Sequence, residues 1–203
     1  MLTQEQINKN KEQFISLLKT VKRPDCLIDE LITKLEKGDF FTAPASTQYH
    51  CSYEGGLCEH SLNVYTQLDR LVKAEYPNQE QCPISHDSII IAALLHDISK
   101  MNFYETTMRN VKDERGNWTQ VPFIKVKEAK DRFLYSTHGA NSEYMVGRFI
   151  PLTLEESVAI INHMGYTEVN VQQNSLSQIF NRYKLAVLLH VADMLATFID
   201  EAV

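Results

Sequence analysis

Apolar residues recur at helical intervals along most of this chain, and one stretch loses that period. From about Gln4 to Thr20, Ile7, Phe14, Leu17 and Leu18 are spaced as the inner stripe of a surface helix. Asp25 stands where it can cap a second helix, with Leu27, Leu31, Ile32 and Leu35 on the inner side and Gly38 at the end. Phe40 to Gly56, rich in Pro, Ser, Tyr and Gly, reads as a loop. After Gly55-Gly56 a helix is predicted from Leu57 to Glu75, stopping before Pro77, with Leu57, Val64, Leu68 and Leu71 on its apolar stripe.

The next helix begins near Ser85 and reads IIIAALLHDISK. Its middle is apolar all round, the mark of a helix enclosed by others. Between Met101 and Ser136 the helical period disappears. Val111 on one side and Trp118, Val121, Phe123 and Val126 on the other flank a Gly116-Asn117 turn signal, which predicts a β-hairpin spanning about residues 107–127. Pro122 keeps the second strand at an edge. Helices then resume, with Ser136 as a cap for the first and a Thr153/Glu156 capping box for the next, which ends at Gly165. A last helix runs from about Ser175 to the C-terminus.

These elements make an all-α fold, a helical bundle of about seven helices with a small β-hairpin insertion. No repeat or long linker divides the 203 residues, so a single domain, 1–203, is expected, with a short helical extension over about 1–40. No apolar run is long enough to cross a bilayer, and the polar N-terminal stretch has no signal-like apolar segment. A cytoplasmic location is expected. Cys26, Cys51, Cys58 and Cys82 form no CxxC pair and are read as free thiols. The formal net charge of −6 argues against tracking duplex nucleic acid, which needs a basic surface, but leaves room for a small phosphorylated substrate.

The chemistry lies on the inner faces. His60 falls three residues after Leu57 and four before Val64, so it points inward. His96 and Asp97 close the apolar helix, where burying an imidazole and a carboxylate is costly unless something pairs with them. His138 opens a helix, His163 ends one, and Asp193 shares a face with Ala186, Leu189 and Ala196. A mixed His/Asp set suits Fe, Mn, Zn or Co. Cys51, Cys58 and His60 lack a fourth ligand at zinc-site spacing. His190 is read as support or core packing, His50 as a loop residue at the pocket or surface, and His86 as exposed. Trp118 and the hairpin aromatics are expected to close a small satellite core.

In five segments the sequence resembles the HD-domain metal-dependent phosphohydrolases. These are Gly55-Gly56-Leu57-Cys58-Glu59-His60-Ser61-Leu62, Leu94-Leu95-His96-Asp97-Ile98-Ser99-Lys100, His138-Gly139, Ile160-Ile161-Asn162-His163-Met164-Gly165 and Leu189-His190-Val191-Ala192-Asp193. The resemblance implies one or two divalent transition metals, the first held by His60, His96, Asp97 and Asp193. It implies that His138 and His163 hold a second, with Asp97 shared. Asp97 and Lys100 are then the catalytic pair, Lys100 steadying a substrate phosphate, with Arg109 as a further substrate contact suggested by its charge and position. The implied reaction is hydrolysis of a phosphoester or phosphoanhydride by metal-activated water, with a nucleotide as the expected substrate. The alternatives are a 3′–5′ exonuclease on single-stranded nucleic acid and a non-catalytic nucleotide or metal sensor. Ser99 stands where many relatives have Gly, and Gly165-Tyr166-Thr167 departs from the Gly-Tyr-Pro of the cyclic-dinucleotide subfamily. The hairpin is expected to form part of the pocket wall.

Overall fold

A computed structural model describes residues 1–167 and 173–202. It contains eight α-helices and one two-stranded antiparallel sheet among the described residues. The order is α1 (Gln4–Leu18), α2 (Ile28–Lys37), α3 (Gly56–Glu75), α4 (His86–Leu95), β1 (Tyr104–Lys112), β2 (Trp118–Val126), α5 (His138–Gly147), α6 (Leu154–Ile161), α7 (Gln173–Arg182) and α8 (Lys184–Leu195). The fold is thus the helical bundle with a hairpin insertion that the hydrophobic pattern predicts.

Helix α4 is the axis of the bundle. Every residue from Ile89 to Leu95 is buried. Ile90, Ile91, Leu94 and Leu95 join one core with Phe14, Leu18, Leu31, Leu35 and Leu57. Ile89, Ala92 and Ala93 join a second with Val64, Leu68, Leu185 and Leu189. A helix apolar on all sides is stable here because each face has its own core, and a buried side chain of this kind contributes about 1.5–3 kcal/mol. Phe14, Leu18, Leu31 and Leu35 place α1 and α2 in the same core as α3 and α4.

The double glycine that precedes α3 has a steric reason. Gly55 adopts φ +84, and a Cβ at Gly56 would overlap the carbonyl oxygen of Cys51. That close approach folds the 40–55 loop back over the first turn of α3 and sets the phase at which His60 enters the core.

Several local expectations are corrected. Asp25 caps nothing: its φ is +61, and Leu27 occupies the N-cap without a side-chain bond. The Leu27 amide donates instead to the Phe149 carbonyl at 2.7 Å, which delays the helix, and the Leu27 side chain turns outward. Thr137, not Ser136, caps α5, because its hydroxyl accepts from the Ala140 amide. Helix α4 stops at Leu95, and Ile98–Lys100 forms a separate 3-10 turn. Likewise α6 ends at Ile161, before His163. The C-terminal helix is broken at Tyr183, and the Leu185 amide donates to the Glu155 carboxylate at 3.1 Å. That cap comes from α6, so no local pattern announces it. The Thr153/Glu156 capping box on α6 is present.

The hairpin pairs Tyr104 with Val126, Met108 with Pro122 and Lys112 with Trp118. Asp113 organises its tip by accepting from the Arg115 and Asn117 amides. Trp118 closes no satellite core; it is 68% exposed, with Lys112 over its ring. The four cysteines are free thiols. No helix among the described residues is long and apolar enough to cross a membrane.

Candidate metal centre

Four imidazoles reach one carboxylate, each from a different helix or helix end. His60 comes from the second turn of α3 and His96 from the C-cap of α4. His138 opens α5, and His163 lies just beyond α6. A Cβ at Gly139 would overlap the Ile161 carbonyl, so glycine there lets the first turn of α5 settle against the end of α6. His138 and His163 are brought together by that contact, with ring centroids 5.3 Å apart.

Asp97 divides its oxygens between two sides. Oδ2 lies 3.6 Å from His60 Nε2, 3.5 Å from His96 Nε2 and 2.7 Å from Lys100 Nζ. Oδ1 lies 3.4 Å from His163 Nε2 and in close contact with His138 Nε2. Asp193 Oδ1, from α8, approaches His60 Nε2 at 3.3 Å.

The far nitrogens of these rings are all engaged. His96 Nδ1 pairs with the Ala93 carbonyl at 2.8 Å, and His163 Nδ1 with the Ile160 carbonyl at 2.7 Å. His60 Nδ1 lies 3.1 Å from Glu201, and His138 Nδ1 lies 2.9 Å from Ser99 Oγ. A backbone carbonyl or ionised carboxylate only accepts, so Nδ1 carries the proton in His60, His96 and His163. Their Nε2 lone pairs then face the centre. These Nε2 atoms are buried and make no hydrogen bond.

A buried nitrogen without a partner is costly, and three around one carboxylate call for a common partner. A divalent cation fits the donor set. Ligand atoms of His60, His96 and Asp97 lie within 4.8 Å of one another, as do those of His96, His163 and Asp193 and those of Asp97, His138 and His163. Burial would lower His60 and His163, but Asp193 and Glu201 raise His60 to about 10 and Asp97 raises His163, so a cation would take the place of protons at these two rings. Burial pushes His96 down to about 4, leaving a neutral imidazole near pH 7. Burial would raise Asp97, but Lys100 and the imidazoles outweigh it and hold the carboxyl well below its usual range. His60, with His96 and His163, similarly holds Asp193 low against the effect of burial.

A cavity of about 380 Å³ opens beside this cluster, lined by Tyr49, His50, Asp97, Lys100, Asp193 and Phe198 among others. Lys100 therefore faces both Asp97 and the cavity. Its ammonium is disfavoured by burial, yet Asp97 more than compensates and raises its pKa. The hairpin does not line this cavity, contrary to expectation. Arg109 lies within β1 and is exposed, its guanidinium 4.8 Å from the Phe123 ring centroid. It is not among the residues lining the cavity.

Other side chains complete the surroundings. His190 Nδ1 bonds the His163 carbonyl at 2.8 Å, and its ring stacks on Phe180, which is the supporting role expected of it. His50 packs against the His60 ring, with its Nε2 buried and unpartnered. His86 pairs with the Tyr65 hydroxyl. Ser99 bonds both His138 and Ser142.

Glu201 escapes the sequence reading. It sits beyond a π-helical stretch, Ala196–Asp200, and also accepts from Asn63 Nδ2 at 2.9 Å. The π-helical stretch takes Glu201 out of the period of α8, so helical spacing gives no signal for it.

No protein-family model matches this chain, and no solved structure matches it. Over 58 residues it is 41% identical to the dihydroneopterin 2′,3′-cyclic phosphate phosphodiesterase of Methanocaldococcus jannaschii. The match covers 29% of this chain and 23% of that protein, so the chain spans less than a quarter of the relative's length.

Proposed function

We propose that this protein is a metal-dependent phosphoester hydrolase with an HD-type site in a single domain, acting on a small phosphorylated molecule. The observation that carries this reading is the set of buried, hydrogen-bond-free Nε2 atoms of His60, His96 and His163 around Asp97. Partial identity to a protein named as a cyclic phosphate phosphodiesterase supports cleavage of a phosphorus–oxygen bond.

In this reading His60, His96, Asp97 and Asp193 hold one divalent cation, and His138, His163 and Asp97 hold a second. Bound transition metals would supply Lewis-acid charge at the phosphate and make water nucleophilic near neutral pH. The chain's own residues do the rest. Glu201, Ala93, Ile160 and Ser99 fix the orientation of the four imidazoles through their Nδ1 atoms. Lys100 presents positive charge to the cavity and steadies a non-bridging phosphate oxygen. His50 lines the same cavity and backs the His60 ring. The cavity is of small-molecule size, since such sites commonly enclose about 300–1,000 Å³. That favours a mononucleotide or the cyclic phosphate of a heterocyclic compound.

Purified protein supplied in turn with Mn, Fe, Co and Zn is assayed on mononucleotides, 2′,3′-cyclic phosphates and single-stranded oligonucleotides. Phosphate release or ring opening with the small substrates is expected. Shortening of oligonucleotides alone would favour the exonuclease, and binding without turnover under every metal would favour the sensor.

A further inference from the structure

A second and larger cavity, of about 740 Å³, lies on the other side of the turn that follows Asp97. Ile98 and Met101 line this second cavity, whereas Asp97 and Lys100 line the one beside the metal ligands. The two share no lining residue.

Its chemistry contrasts with the rest of the molecule. Lys34, Lys130, Arg132 and Arg148 line it against one carboxylate, Asp131, in a chain whose net charge is −6. Among the described residues, none of these four cations forms an ion pair with a carboxylate, whereas Lys11, Arg23, Lys73, Lys100 and Lys125 all do. They come from three separate segments: α2, the stretch between β2 and α5, and the end of α5. Like charges gathered from three segments and left unneutralised repel one another, and a bound anion removes that cost.

Flat apolar surface accompanies the charge. Phe133 and Tyr144 stack with centroids 5.7 Å apart and planes 16° apart, and each is 40% exposed. Tyr135 stacks on Tyr144 as well, at 5.1 Å. Arg148 lies over the Tyr144 ring and bonds its hydroxyl. The half-exposed Phe133 ring, lining the cavity beside guanidinium groups, suits a planar heterocycle, which gains from stacking and from cation–π contact. Guanidinium and ammonium groups suit phosphate oxygens. A ligand carrying both features in one molecule of this size is a nucleoside polyphosphate.

We propose that this cavity is a binding site for a nucleoside triphosphate, separate from the metal centre and independent of its function. Calorimetry with the full chain uses adenylyl-imidodiphosphate, a triphosphate analogue resistant to hydrolysis between its outer phosphates, and inorganic triphosphate as the control. Saturable binding of the nucleotide is expected in wild type and, at this site, equally in Asp97→Ala. The double variant Lys130→Glu/Arg148→Glu should weaken it by about tenfold or more, as loss of hydrogen bonds to charged groups does. Lys34→Glu, on another helix, should act in the same direction should the double variant melt early. Phe133→Ala should weaken the nucleotide and leave inorganic triphosphate unchanged. The proposal is overturned if Asp97→Ala abolishes all nucleotide binding, if charge reversal leaves affinity unaltered, or if inorganic triphosphate binds as tightly as the nucleotide. Binding of single-stranded RNA without binding of the nucleotide would equally overturn it.

Discussion

Glu201 holds the outer nitrogen of His60 at 3.1 Å, although the two residues are 141 positions apart in the chain. The side chain of this glutamate is almost fully buried, and it also accepts from Asn63, one turn along α3 from His60. The carboxylate fixes the His60 tautomer with the proton on Nδ1, which leaves Nε2 facing Asp97 and Asp193.

Glu201→Ala should therefore weaken metal binding by about 10–100-fold, the usual effect of removing the partner of a ligating histidine. Glu201→Gln, which keeps an acceptor oxygen, should recover most of that loss. Titration of the metal-free protein with Zn and Co measures both. Equal affinity in wild type and Glu201→Ala would remove Glu201 from the account.

Ser99 does for His138 what Glu201 does for His60. Its hydroxyl lies 2.9 Å from His138 Nδ1 and 3.0 Å from the Ser142 hydroxyl. Ser99→Ala should leave folding intact and lower affinity at the His138/His163 side by about tenfold. The first cation should bind as before. A two-step metal titration separates these outcomes.

Away from the centre, Arg23 and Glu156 form a bidentate ion pair with one arm at 2.8 Å, and Glu156 also closes the capping box of α6. Arg23 is only part-buried and keeps Asp87 at 3.8 Å, so losing this charge-assisted pair costs about 1.5–3 kcal/mol. Glu156→Gln should lower the melting temperature by roughly 3–12 °C at pH 7, at about 2–4 °C per kcal/mol for a chain of this size. Burial raises the Glu156 pKa, but Arg23, Ser88 and the Thr153 amide bring it below its ordinary 4.5. A depressed folded-state pKa stabilises above the unfolded value, and that contribution fades as pH falls through the folded one. The gap between wild type and variant should thus be full above pH 4.5 and shrink in stronger acid. Melting curves from pH 3 to 7 test the trend.

The sequence discloses the parts of the structure whose causes are local or periodic. The all-apolar run Ile89–Leu95 marks the central helix, and the Thr153/Glu156 box marks the start of α6. His60 and Asp193 are legible as inward-facing because their apolar neighbours set the helical phase. Less legible are features decided by contacts between distant segments. Asp25 loses its capping role because the Leu27 amide bonds Phe149, and α8 starts where Glu155 reaches it. Glu201 is hidden by the π-helical stretch before it, since one added residue per turn shifts the face on which it falls. Trp118 misleads because an aromatic on a two-stranded ribbon has no second layer to pack against.

Everything about the centre depends on Asp97 sharing cations with the four imidazoles. Elemental analysis of protein purified without chelator, beside Asp97→Ala purified in parallel, tests this directly, with circular dichroism to establish that the variant is folded. The account predicts one or two equivalents of a transition metal in wild type, and little metal and no phosphoester hydrolysis in folded Asp97→Ala. A folded variant that retains the full metal content, or the full activity, would contradict it.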